Sequence, residues 1–293
     1  MEPKIRTVRA GDDRELCVRV SGGDLPRTVF VMHGTPGSGL LYRRWVEDAA
    51  RRRIRLVSYD RPGYGRSSER TGRSIADCAA DISVVADELG IANMGVWGWS
   101  GGAPYALACA ALLPDRVVAA AVLAGLAPLD APGLDFFDGM GQDNVDDLRL
   151  YLSDPEAARR EIVIDRNEVL ATTVDQQTEM LASLLSPTDA AALSGEFAAW
   201  LLQTEQNGLS AGAQGWWDDG VAQFSPWGFD LMTIRVPVKV WHGSHDQFVP
   251  VQHGRWLVEN VPGAESALSD TDGHLTLVID RIGDVLDWLT EHF

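Results

Sequence analysis

Gly98-Trp99-Ser100-Gly101-Gly102 is the stretch that decides the fold class. It reads G-x-S-x-G, and its flanks give the pattern weight. Ahead of it, Met94-Gly95-Val96-Trp97 is a short apolar run suited to a buried strand. Behind it, residues 103–113 are good helix formers that stop at Pro114. Small residues at 98 and 102 let the backbone turn sharply where a Cβ would clash. The helix N-terminus behind the serine offers backbone N–H groups to an anion. The spacing therefore predicts a strand, a tight turn bearing an exposed nucleophilic Ser100, and a helix.

The pattern continues outward on both sides. Glu15–Val20, 28–32, Ile54–Tyr59 and Val117–Leu123 read as strands, and 41–50 and 74–89 as helices. The second of these helices has apolar residues at 75, 78, 82, 85 and 89, one face of a 3.6-residue repeat. Short apolar strands alternating with helices imply a mostly parallel sheet covered on both faces. The alternation stops after Leu126. From 127 to 232 helical segments dominate. They include a helix start at Ser186-Pro187-Thr188-Asp189, with Leu193, Phe197, Trp200 and Leu201 on the face that follows, and a glycine-rich stretch at 207–220. Strand and helix resume at 238–241, 255–261 and 265–268, and a helix at 275–288 closes the chain. The expected organisation is a core of 1–126 and 233–293 interrupted by a helical insertion of 127–232.

Composition narrows the partners. The chain has 293 residues, 45% of them hydrophobic, and a formal net charge of −17. A nucleic acid would be repelled, and the single basic cluster, Arg51-Arg52-Arg53, reads as cations at a helix C-terminus. Cys17, Cys78 and Cys109 are too few and too scattered for a disulfide framework or a zinc site. The charged N-terminus has no apolar signal segment, and the longest apolar run, 117–129, is too short to span a bilayer. The expectation is a soluble, cytoplasmic protein acting on a small molecule, with no membrane or nucleic-acid partner, no metal and no cofactor.

A serine hydroxyl needs a base, and the base needs an acid to orient it. His274 falls in a loop after the last strand, and Asp246 follows the strand at 238–241. Both lie where an open α/β sheet places its ligand crevice. His33 introduces the loop Gly34-Thr35-Pro36-Gly37, which can turn a backbone N–H toward that of Gly101 to hold an oxyanion. His242 and His245 read as structural residues around the acid, and His253 and His292 as surface helix residues. Asp130, soon after the strand 117–123, is a rival acid.

Taken in order, four blocks resemble the α/β-hydrolase superfamily, in its capped branch of proline iminopeptidases, epoxide hydrolases and carboxylesterases. They are His33-Gly34-Thr35-Pro36-Gly37, the run from Asp60 to Ser67, Gly98 to Gly102, and the pair Asp246 and His274. The resemblance implies an eight-stranded sheet with a helical cap, and oxyanion N–H groups from Thr35 and Gly101. It gives residues 60–67 a structural role only. The serine, where dehalogenases and epoxide hydrolases use aspartate, points away from both activities. Trp99 and Thr35 depart from the iminopeptidase pattern, although Glu196 and Glu205 could serve as the cap acids such an enzyme needs. Trp99, Trp200, Trp216 and Trp217 are candidates for an apolar substrate pocket; packing explains these, and Trp227, equally. The expected activity is hydrolysis of a small to medium apolar ester or lactone. An aminopeptidase and a non-catalytic ligand-binding protein are the alternatives.

Overall fold

A computed structural model describes residues 3–293. Its strands are β1 Lys4–Arg9, β2 Glu15–Val20, β3 Arg27–Met32, β4 Ile54–Tyr59, β5 Met94–Trp99, β6 Val117–Leu123, β7 Val238–Gly243 and β8 Glu265–Ser269. They form one eight-stranded sheet in the order β1-β2-β4-β3-β5-β6-β7-β8. β2 runs antiparallel to both β1 and β4, and every other pairing is parallel.

The helices of the core are α1 Arg43–Arg51, α2 Cys78–Glu88 and α3 Ala103–Leu112. Six more follow between β6 and β7: α4 Gln142–Ser153, α5 Pro155–Ala171, α6 Val174–Met180, α7 Pro187–Ala192, α8 Gly195–Gly208 and α9 Gln214–Gln223. After β7 come α10 Val251–Asn260, α11 His274–Asp280 and α12 Ile282–Thr290. Among the described residues no helix is long and apolar enough to cross a membrane.

The period-2 alternation of the central strands divides the core in two. Phe30, Met32, Val96, Ala120 and Val122 point into one layer with α2, α3 and α10. Val29, Val31, Trp97, Ala119, Ala121 and Leu123 point into the other, with α1, α11 and α12. Because both faces are covered, these strands read as continuous apolar runs. α3 is apolar all round because it lies inside the first layer, where Tyr105 to Ala110 are all buried.

Several expectations are corrected. β1 was invisible in the sequence: five of its six residues are exposed and Val8 alone is buried. The helix expected after Ser186 is two, because Leu193 and Ser194 leave helical geometry between α7 and α8. The closing helix also divides, at Arg281. The glycine-rich stretch is largely helical. There Gly215 of α9 rests on Gly63, and a Cβ on it would come within 2.6 Å of the Gly63 carbonyl. These glycines are a backbone-to-backbone contact between α9 and the core. All three cysteines are buried free thiols.

Candidate active site

Ser100 follows β5 directly and has φ +56°, the left-handed region a residue with a Cβ rarely adopts. Such strain costs about 1–3 kcal/mol and persists where the surroundings enforce it. Here they do. A Cβ at Gly98 would come within 2.3 Å of the Gly102 carbonyl, and one at Gly102 within 2.2 Å of the Met32 carbonyl. Only glycines at both positions allow a turn this tight.

His274 is the first residue of α11 and Asp246 lies in the loop after β7. The imidazole Nδ1 lies 2.7 Å from Asp246 Oδ2, so Nδ1 carries the proton and Nε2 is left as the basic nitrogen. The other carboxylate oxygen accepts the Val249 N–H at 2.8 Å, and His242 Nε2 stands 3.4 Å from Oδ2. Burial would raise the Asp246 carboxyl. The charge of His274 and the hydrogen bonds from His242 and His274 outweigh it and hold the group at about 2. Phe248 stacks on the imidazole with centroids 4.6 Å apart, and the Trp99 ring is 5.2 Å away on a tilt. Ser100 and His274 line one cavity. Asp130 is exposed, in the turn after β6, and has no contact with His274.

Thr35 and Gly101 approach closely: a Cβ on Gly101 would be 2.5 Å from Thr35 Oγ1. Behind them lies a buried polar network with no local signature in the sequence. Thr35 Oγ1 donates to Asp219 Oδ2 (2.7 Å) and accepts from Arg61 Nη2 (2.9 Å) and Gln223 Nε2 (3.0 Å). Arg61 also donates to the His33 and Gly34 carbonyls, fixing the loop backbone itself. Asp219, on α9, further accepts from Arg73, Tyr64 and Tyr105. Burial alone would raise its carboxyl, but the two guanidinium charges hold it far below the carboxylate range. The segment 60–67 is thus structural, with Arg61 as the strut of the Thr35 loop. Gln223 links Thr35 to the Gly101 carbonyl, 3.3 Å away.

A second acid acts on the histidine side. Asp189 of α7 is fully buried and accepts the N–H groups of His274 (2.8 Å), Leu275 (2.9 Å) and Thr276 (3.1 Å). It caps α11 from across the molecule and so fixes where His274 begins.

Of the remaining histidines, His33, His242, His245 and His253 meet the backbone, while His292 is not a surface helix residue: it lies beyond α12, half-buried against the Trp288 ring. His33 shares a 2.7 Å contact with the Gly34 carbonyl through Nδ1 and accepts the Arg61 N–H at Nε2. Burial, with the Arg61 charge beside it, holds its pKa well below the histidine range. His245 contacts the Asp270 carbonyl at the surface. His253 corrects its surface assignment. It is fully buried, accepts the Ala127 N–H at Nδ1 and meets the Phe136 carbonyl at Nε2. Burial pushes it down to about 4.

The cavity at Ser100 has two arms. The smaller, about 70 Å³, is lined by Trp45, Trp97, Trp99, Trp200, Leu201 and Leu275. The larger, about 500 Å³, opens between α4, α5 and α9, with Trp216 and Trp217 in its wall. Glu205 lines both. Glu196 lies outside, in an exposed ion pair with Arg43.

The model of the alpha/beta hydrolase fold matches residues 27–279. A 2-hydroxy-6-oxononadienedioate/2-hydroxy-6-oxononatrienedioate hydrolase of Cupriavidus pinatubonensis is 26% identical over 290 residues, 92% of this chain and 87% of that one. A proline iminopeptidase of Xylella fastidiosa is 29% identical over 182 residues, 59% of this chain and 56% of that one. An esterase structure from Thermogutta terrifontis superposes with a TM-score of 0.72 at 19% identity, covering 100% of both chains. Sheet order, turn and family match agree: the chain belongs to the alpha/beta hydrolase fold family.

Proposed function

We propose that this protein is a serine hydrolase that cleaves a small to medium carboxylic ester or lactone through an acyl-enzyme on Ser100, beneath a helical cap formed by residues 127–232. The observation that carries this reading is Ser100, held at φ +56° on the turn after β5, sharing a cavity with a histidine already paired to a buried aspartate.

Ser100 Oγ attacks the substrate carbonyl carbon as His274 Nε2 takes its proton. Asp246 holds Nδ1–H and offsets the imidazolium charge. The carbonyl oxygen, now an anion, is met by the Thr35 and Gly101 N–H groups, which the network behind them fixes before reaction starts. Collapse of the tetrahedral intermediate expels the alcohol, which receives its proton from His274. Water then attacks the acyl-enzyme, with His274 again as base, and releases the acid and free Ser100.

The walls limit the substrate. The Cupriavidus relative is named for a dioate, a doubly negative molecule. Neither arm of this cavity carries a lysine or arginine among the described residues, so a dianion would have no partner here. The aminopeptidase reading draws on one specific feature, the placement of Glu205 in the cavity wall.

The test is a fluorophosphonate probe with a panel of p-nitrophenyl esters and aminoacyl-β-naphthylamides. The probe labels the wild type, Ser100→Ala abolishes labelling, and turnover falls by about 10⁶, the scale for losing a serine nucleophile. Esters are cleaved in preference to amides. Labelling that survives Ser100→Ala would overturn the assignment, and an unlabelled wild type would favour a ligand-binding protein.

A further inference from the structure

The larger arm of the cavity is acidic without compensation. Asp143, Asp146 and Asp147 of α4, Glu161, Asp165 and Glu168 of α5, and Glu205 of α8 line it. At the chain's overall ratio of 25 basic to 42 acidic residues, a wall with this many carboxylates would carry about four cations by simple proportion. It carries none. None of the seven has a salt-bridge partner among the described residues. Three arginines of these helices are engaged elsewhere: Arg149 over the Phe137 ring, Arg159 on Gln214 and over Trp217, Arg166 on the Leu209 carbonyl; the fourth, Arg160, is exposed and outside the cavity wall. The stripes also work against the helices that bear them. Asp143 and Asp147, and Glu161 and Asp165, are like charges at i, i+4, pairs that disfavour a helix. Nor do the carboxylates converge as a metal-binding group.

A solvated acidic face would account for the outer members, most of which meet water. It does not account for Glu205. That side chain is only 9% exposed, and its Oε2 has no hydrogen-bond partner. The adjacent Thr204 hydroxyl bonds to the Ser38 backbone and hydroxyl, so α8 is pinned to the loop after β3 beside Glu205. A buried, unpaired carboxyl at the junction of the two arms, behind an acid-lined approach, is a site prepared for a cation that the protein itself does not supply.

We propose that the larger arm is a subsite for an organic ammonium group, so that the substrates are esters joining a short apolar acyl group, held in the small tryptophan-lined arm, to a chain that ends in an amine. This rests on the reading of Ser100 as the nucleophile. The outer acids raise the local concentration of the cation, and Glu205 takes it at the inner end as an ion pair with charge-assisted hydrogen bonds. Burial, with no opposing charge, pushes the Glu205 carboxyl up to about 8, so it is protonated in the empty site at neutral pH. Binding the ammonium ionises it and releases that proton to solvent.

The acetate esters of 6-aminohexan-1-ol and heptan-1-ol have matched chain lengths and differ in an NH₃⁺ for a CH₃. At low ionic strength kcat/KM favours the amino ester by about tenfold or more, and the preference shrinks severalfold in 0.5 M salt. Glu205→Gln, close in shape and free of the ionisable group, abolishes most of the preference. The Asp147→Asn/Asp165→Asn double variant, in the outer part of the arm and close in shape to the wild type, removes the part sensitive to salt. Equal kcat/KM for the two esters, or a preference that survives Glu205→Gln, overturns the proposal. Calorimetry on Ser100→Ala protein separates the subsite from the chemistry. Hexylammonium binds more tightly than hexan-1-ol and releases more proton near pH 7 than it does from Ser100→Ala/Glu205→Gln, where only Asp147 and Asp165, raised by burial and neighbouring acids to about 6 and about 7, can contribute. If hexylammonium binds so but no ester is cleaved and the probe does not label Ser100, the nucleophile assignment has failed and the subsite stands. If labelling is normal and hexylammonium binds no better than the alcohol, the subsite has failed and the nucleophile stands.

Discussion

Asp219 and Glu205 are both buried acids on the helices between β6 and β7, one behind the Thr35 loop and the other in the cavity wall, and they live in opposite surroundings. Asp219 receives two arginines, two tyrosines and the Thr35 hydroxyl, and its carboxyl is held far below the carboxylate range. Glu205 has a buried oxygen with no partner at all, and its carboxyl is pushed up to about 8. One carboxylate is complete within the protein and immobilises the Thr35 loop, the loop proposed to meet the oxyanion. The other is incomplete, and only something entering the cavity can complete it. Asp189, which spends both oxygens on the first N–H groups of α11, belongs with Asp219. The helices between β6 and β7 therefore brace both the Thr35 loop and the His274 helix, and leave Glu205 in the cavity wall without a partner.

That contrast is tested first where loss is greatest. Asp246→Asn removes the acid that fixes the histidine tautomer, and turnover is expected to fall by about 10⁴, the scale known for such a change. Asp130→Asn, an exposed turn residue, leaves kcat/KM within about twofold, as surface changes generally do. Equal losses in the two variants would mean that the His274–Asp246 contact does not set the base. Next comes Asp219→Asn. It leaves Arg61 and Arg73 buried without their shared counterion, which costs about 3–5 kcal/mol of stability, read from urea unfolding midpoints. Fluorophosphonate labelling should slow as well, measured below the variant's melting temperature. A variant with unchanged stability would show that the network is not the strut described here.

What was legible in the sequence divides along the same line. The turn at Ser100, the acid after β7 and the histidine after β8 could be read because each is a short local pattern tied to the end of a strand. The central strands announced themselves through apolar runs. The bracing acids did not, because their partners are remote: Asp219 meets Arg61 across 158 positions and His274 meets Asp189 across 85. In the sequence each is an ordinary acid on a helix. β1 escaped for a different reason, since an edge strand with one buried residue has no hydrophobic period to detect. His253 was misassigned because its flanks, Gln252 and Arg255, are polar while the imidazole itself turns inward to the Ala127 and Phe136 backbone. Glu205 was visible as an available acid. Its lack of a partner is a property of the packed state alone.

The Glu205 side of the contrast makes an unusual prediction, that removing an ionisable group stabilises the protein. Its folded pKa of about 8 lies above the ordinary 4.5, so between those values the folded state holds a proton that the unfolded chain has lost. Stability therefore falls as pH rises from 4.5 toward 8, and no further beyond. The full difference corresponds to roughly 5 kcal/mol above pH 8, an upper figure because part of the side chain meets the cavity. Glu205→Gln should match the wild type in melting temperature near pH 4, and exceed it increasingly up to pH 8. A variant less stable than the wild type at pH 8 would mean that Glu205 already has a partner in the folded protein.

The smallest effect belongs to Asp189, and it separates bracing from mere capping. Asp189→Asn keeps the shape and one acceptor oxygen, but loses the charge at the α11 N-terminus and at least one of the three N–H bonds. The stability loss should be about 1 kcal/mol, typical of a weakened cap. A helix that starts slightly out of place carries His274 with it, and such misplacement can cost as much as 10²-fold in rate. Substrate affinity does not depend on that histidine, so kcat should fall roughly tenfold with KM nearly unchanged. Asp189→Glu restores the charge but not the reach, and should recover stability more than rate. If kcat and stability returned together in the glutamate variant, Asp189 would matter as a charge near a helix end. If stability returned and kcat did not, the position of its two oxygens is what holds His274 opposite Ser100.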